Sequence, residues 1–267
     1  MRSFNYHKPN TVDAAVALLA GNKNASIIAG GMTLLPTMKL RLAAPQDLVD
    51  LSGIEGLSGI TVDGGMLLIG AMTRHADVAA SSLVQERLPA LARLASRIGD
   101  QQVRHRGTMG GSIANNDPAA DYPAAVLALN AEIVTSQRTI AADDFFVAMF
   151  ETVLKPGEIV TAIRFPLPER AAYAKFVNPA SRYAMAGVFV AKTGRTVRVA
   201  VTGAGPSVFR PHDIETALGG NFNATALERI SIDASDLLSD IHADNEYRAH
   251  LVMVMTRRAV SMALQPR

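Results

Sequence analysis

The chain of 267 residues has no cysteine. A disulfide framework, a thiolate zinc site, a cysteine-held iron–sulfur cluster and a cysteine nucleophile are all excluded. It has no tryptophan either, and aromatic residues make up only 5%. That is too few for the stacking platforms of single-strand nucleic-acid binders. Neither sign of charge dominates: the formal net charge is +2 and the one compact basic run is Arg104-His105-Arg106, so nucleic acid is not an expected partner. No apolar stretch approaches the roughly 18 residues of a transmembrane helix. Residues 14–20 are apolar but short and follow Asp13. They read as an amphipathic helix capped by Asn10 or Thr11 rather than as a signal peptide. The expectation is a cytoplasmic protein.

What is present is a large apolar fraction, 49% against 19% charged, enough for a sizeable core. The first fifty residues alternate strand and helix: strands at 3–6, 25–28 and 47–51, helices at 11–19 and 33–42. This is an α/β unit. Glycine-punctuated strands follow at 60–62 and 67–69, with Asp63-Gly64-Gly65 as a hairpin turn. Helices are expected at 73–80 and 89–98, a long Gly/Asn/Asp/Pro-rich loop at 107–123, and strands at 132–136 and 159–165. Pro166 and Pro168 mark a linker. Beyond it lie strands at 174–177, 186–192 and 197–202, then helices at 213–218, 223–230 and 246–262. The reading is an α+β protein with an α/β-rich N-terminal half: residues 1–166 in two subdomains (1–51 and 52–166), then a C-terminal α+β domain, 167–267, with a small antiparallel sheet and helices.

The most informative segment is Ala29-Gly30-Gly31-Met32-Thr33-Leu34-Leu35-Pro36. A buried strand ends in paired glycines and a hydroxyl residue as a helix begins, which presents bare N–H groups to an anion. For this loop alone a tight turn that needs glycine is the commoner reading. It is not Gly-x-Gly-x-x-Gly; Gly203-Ala204-Gly205-Pro206 fails that pattern too, and there is no Walker A sequence or nucleophile elbow. A second loop, Gly107-Thr108-Met109-Gly110-Gly111-Ser112-Ile113-Ala114-Asn115, repeats the chemistry. A ligand with a diphosphate between two rings could lie between the two loops. The six histidines include no His-x-x-x-His pair, and His75-x-Asp77 lacks a third ligand, so metal binding is not expected. Asp143-Asp144 reads as a helix or turn cap, since adjacent side chains diverge. Arg104 and Arg106 read either as diphosphate or partner contacts or as a solvated cluster.

Together these features resemble the flavin-binding subunit of molybdenum hydroxylases, the family of the carbon monoxide dehydrogenase medium subunit and the xanthine dehydrogenase flavin domain. The resemblance runs over essentially the whole chain. It is carried by Phe4, Tyr6 and Pro9, by both glycine loops, by Ile69-Gly70-Ala71-Met72-Thr73, Val103-Arg104 and Gly157-Glu158-Ile159-Val160, and by the tail around 203–210. Asp117-Pro118-Ala119-Ala120-Asp121-Tyr122-Pro123 looks closest to the carbon monoxide dehydrogenase branch, and Met32 departs from the small or polar residue common at its position. The resemblance implies the two-subdomain FAD-binding fold of the PCMH and molybdenum-hydroxylase flavoprotein type. It implies an FAD diphosphate on the backbone of Ala29, Gly30, Gly31, Met32, Thr33 and Leu34. Around the rest of the cofactor it implies Thr108, Gly110, Gly111, Ser112 and Asn115, with Asp121 on the ribityl or flavin side, Ala71 packed on the cofactor, and Tyr183 or Lys175 near the isoalloxazine. It further implies a molybdopterin-binding large subunit and a small subunit with [2Fe-2S] clusters, assembled as a dimer of heterotrimers. Electrons would pass from those clusters through FAD to an external acceptor. The alternative is a free-standing FAD-dependent oxidoreductase acting directly on a small molecule.

Overall fold

The computed structural model describes residues 1–265. The first subdomain is a parallel sheet in the order β1 (Asn5–His7), β3 (Asp47–Asp50), β2 (Ala25–Ile28). Parallel neighbours need crossovers, and α1 (Val12–Gly21) and α2 (Leu34–Lys39) supply them. The Thr11 hydroxyl accepts from the Ala14 N–H and starts α1. The helix expected over 33–42 stops at Lys39, because Arg41 turns into the left-handed region (φ 63°). This small sheet is not closed by its own residues. Its core of Ala15, Val49 and Leu51 is completed by Ile54, Leu57, Met72 and Ile159 from the next subdomain.

The second subdomain is an antiparallel sheet ordered β4 (Ile60–Asp63), β5 (Met66–Gly70), β10 (Val160–Phe165), β6 (Glu132–Thr135), β7 (Thr139–Ala141), beside a hairpin of β8 (Phe146–Ala148) and β9 (Glu151–Thr152). Between β5 and β6 run α3 (His75–Ala80), α4 (Ser82–Arg87), α5 (Pro89–Ser96), α6 (Gln101–Arg106), α7 (Met109–Asn115) and α8 (Tyr122–Ala128). Four of these, α4, α6, α7 and α8, were not expected. The basic run ends α6, where positive charge suits a helix C-terminus, and Asp100 caps its start through the Val103 N–H. The stretch 107–123, read as loop, holds α7. The Thr108 hydroxyl caps it through the Gly111 N–H, and Met109 and Ile113, one turn apart, are fully buried. Capping and burial there outweigh the poor helix propensity of glycine and asparagine. Asp143, read as a cap, instead pairs with Arg198 at 2.6 Å and Arg210 at 3.2 Å.

The C-terminal sheet is antiparallel, β11 (Arg170–Val177), β12 (Ala184–Thr193), β13 (Thr196–Thr202). Alternate residues serve different cores. Val188 and Val190 face α10 (Asn245–Leu264), packing with Val252, Met255 and Val260. Phe189, Ala191, Tyr173 and Ala200 join the core of the second subdomain. Burial on both faces explains the unbroken apolar run through β12, a pattern strands show when both sides are covered. The remaining α9 (His212–Gly220) packs beside β13. The helix expected over 223–230 is only a short 3-10 turn, Ala224–Leu227. There the Arg257 guanidinium donates to the Leu227 carbonyl, an acceptor that a continuing helix would need. Among the described residues no helix is long and apolar enough to cross a membrane.

Candidate functional site

The chain leaves β2 at Ile28 and turns sharply, with Gly31 in the left-handed region (φ 75°). The Leu35 N–H returns to the Gly31 carbonyl at 3.1 Å. Among the described residues, the N–H groups of Gly30, Gly31, Met32, Thr33 and Leu34 find no acceptor in the protein. A run of free donors on a turn before a helix is a ready cradle for a phosphate. Thr33 adds a hydroxyl that makes no capping bond. Gly30 is needed for a different reason. A Cβ there would press into the Arg106 carbonyl and lie 2.8 Å from Gly107 Cα. The first loop therefore touches the start of the second, backbone to backbone, at the seam between the subdomains.

The second loop has the same composition and the opposite hydrogen-bonding state. Its amides are spent: Met109 donates to Thr73, Gly110 to Ala71 at 2.8 Å, Gly111 to the Thr108 hydroxyl and Ser112 to the Thr108 carbonyl. A Cβ on Gly110 would sit 2.5 Å from Ala71 Cβ. This glycine lets the loop seat against Ala71, just past the end of β5. The loop offers side chains instead of amides, chiefly Ser112 and Asn115.

Both loops open on one cleft of about 730 Å³, within the roughly 300–1,000 Å³ usual for small-molecule sites. Of the residues singled out in the sequence, Ala29, Gly30, Gly31, Met32, Thr33, Leu34, Thr108, Gly111, Ser112, Asn115, Asp121 and Tyr183 line it. Ala71, Gly110 and Lys175 do not; they pack behind the wall. The free donor row, the two abutting turns and the size of the cleft fit a dinucleotide with a central diphosphate.

The C-terminal sheet holds the cleft's polar wall. The Thr202 hydroxyl shares its one proton between the carbonyls of Ala120 at 2.6 Å and Pro118 at 2.9 Å, and the Gly203 N–H donates to Pro118. This fixes the 117–121 loop. The Asp121 carboxylate is buried against Lys175 Nζ at 2.9 Å and accepts from the Tyr173 hydroxyl at 2.5 Å. Burial pushes Asp121 upward, with the Lys175 ammonium and the Tyr173 hydroxyl opposing. Tyr183 is also raised, by burial and then by Asp117 and Asp121.

Several lining residues were not singled out in the sequence. His75, weighed there only as a metal ligand, lines the cleft at 5% exposure. Burial, then the nearby Arg104, pushes its imidazole down to about 4, so it is neutral at pH 7. Its Nδ1 is buried without a partner, and its ring lies 5.3 Å from that of Tyr122. Glu158 also lines the cleft. Burial raises it, but Arg138, the Lys155 N–H and the Thr135 hydroxyl prevail and hold it at about 2. Arg104 does not line the cleft; its guanidinium closes the 98–99 turn through two carbonyls. Among the described residues no cluster of His, Asp and Glu could hold a metal ion.

The family described as the FAD binding domain in molybdopterin dehydrogenase matches residues 2–168, and the CO dehydrogenase flavoprotein C-terminal domain matches 171–263. The carbon monoxide dehydrogenase medium chain of Hydrogenophaga pseudoflava is 37% identical, covering 97% of this chain and 96% of that one. The nicotine 6-hydroxylase medium subunit of Paenarthrobacter nicotinovorans is 35% identical, over 96% and 95%. Among solved structures, reconstituted CO dehydrogenase from Oligotropha carboxidovorans superposes with a TM-score of 0.90 at 34% identity, over 98% of both chains. The chain belongs to the family of FAD-binding domains of molybdopterin dehydrogenases, with the CO dehydrogenase flavoprotein domain at its C-terminus.

Proposed function

We propose that this chain is the FAD-carrying medium subunit of a multi-subunit molybdenum hydroxylase, and that it relays electrons from iron–sulfur clusters of a partner subunit to an external acceptor. The observation that carries the cofactor assignment is the row of unpaired N–H groups at Gly30–Leu34, facing a cleft that a second glycine loop closes. Those amides and the Thr33 hydroxyl take the diphosphate. Ser112 and Asn115 serve the ribityl side, and Asp121 and Tyr183 form the wall beside the ring system. FAD supplies the redox chemistry, joining one-electron donors to a two-electron acceptor.

The role of the chain's own residues is to bind and orient. The Lys175 ammonium has spent its donors on three acceptors, so it braces the wall of the cleft. Without cysteine the chain cannot ligate an iron–sulfur cluster, so the clusters lie in a small subunit and the substrate chemistry in a molybdopterin-binding large one. A dimer of heterotrimers in the cytoplasm is the assembly this reading implies.

The test is stopped-flow reduction of the bound flavin by a candidate substrate, with the chain alone and with co-purified partners. Reduction only in the complex is the expected result. Reduction by substrate in the isolated chain would favour the free-standing oxidoreductase.

A further inference from the structure

Three stretches of the cleft wall converge on one ammonium that does not line the cleft. Lys175, in β11, has a side chain with no solvent exposure. Its Nζ donates at 3.0 Å to the Arg97 carbonyl, where α5 ends just before the lining residues 98–100. It donates to the Asp121 carboxylate, and at 3.0 Å to the Arg182 carbonyl, one residue before Tyr183. An ammonium has three donors, and all are used. Arg182 holds a left-handed backbone (φ 62°), which a residue with a Cβ adopts at a cost and keeps only where its surroundings demand it. The turn is closed by Arg182 N–H to Asn178 O and Asn178 N–H to Tyr183 O, both 2.8 Å.

We propose that Lys175 is a positioning residue for the cleft: from one ammonium it sets the 97–100 segment and the 178–183 turn against Asp121, and so fixes where Tyr183 meets the cofactor. The tether stands on geometry within this chain. Only its consequence for the flavin rests on the FAD reading above.

Two measurements on the full chain test it. The variants are Lys175→Met, which keeps length and removes the donors, and the pair Asp121→Asn/Lys175→Met, which leaves no unpaired buried charge should the single variant fail to fold. The first measurement is amide hydrogen exchange on cofactor-free protein. Exchange at Asn178 and Arg182 should rise by about tenfold or more while the amides of β12 and β13 keep their protection. The second is flavin fluorescence of FAD-loaded protein, which a tyrosine against the ring quenches. Lys175→Met should brighten the flavin as Tyr183→Leu does, and combining them should add nothing. A folded variant with unchanged exchange over 178–183 overturns the tether, and this readout holds even if FAD does not bind. Loosened exchange with wild-type quenching, or no brightening in Tyr183→Leu, overturns the link to Tyr183.

Discussion

Gly30 illustrates how one residue carries the join between two subdomains. A methyl group there must push away the Arg106 carbonyl and Gly107, both backbone. Overpacking of this kind costs about 1–3 kcal/mol. Gly30→Ala is therefore expected to weaken FAD binding roughly 10- to 100-fold by isothermal titration. Gly21→Ala, where nothing lies within 4 Å, should bind as the wild type does. His75 gives a pH dependence with a definite sign. Its folded value of about 4 lies below the ordinary 6.5, so the unfolded chain binds the proton first. Its contribution is complete above pH 6.5 and is lost as pH falls towards 4. By pH 5 the loss is about 2 kcal/mol. Urea unfolding at pH 7 and pH 5 should show that loss, and His75→Gln should remove it. The sequence made the donor loop legible, because strand, paired glycines and hydroxyl fall in order. It could not reveal His75, whose role comes from burial beside Arg104 and Tyr122.

At the level of elements, the two glycine loops look alike as sequence and differ as structure. The first keeps its amides free. The second closes them into α7 and onto the 71–73 segment after β5, because Thr108 caps the helix and Met109 and Ile113 bury its inner face. Glycine and asparagine content argued for a loop and hid that helix, although a threonine three residues ahead of its capped amide was in view. Thr108→Ala should cost about 1 kcal/mol of stability, read as a lower urea midpoint, while Thr108→Ser should stay near wild type. Apolar strands bounded by turn residues were readable: β2 and the hairpin of β4 and β5 fall where expected. Short helices such as α4 and α6 were not. Too few residues repeat in them for the helical period to stand out, and tertiary contacts decide their form.

Across the whole molecule, the C-terminal sheet is shared. One face packs on α10, and the other contributes Tyr173, Phe189 and Ala200 to the core built around Leu67, Ile133 and Phe165. The same sheet fixes the 117–121 loop and supplies Tyr183 to the cleft. Unfolding of the second subdomain would strip that face bare, so calorimetry should show a single cooperative transition joining them; two well-separated transitions would contradict a shared core. The central claim is that the free amides of Gly30–Leu34 hold the diphosphate of FAD. Titration of purified, cofactor-stripped chain with FAD tests it most directly, with Gly30→Ala beside it. The account predicts one FAD per chain and a marked loss of affinity in the variant. A folded chain that takes up no FAD, or a Gly30→Ala chain that binds it unchanged, would contradict it.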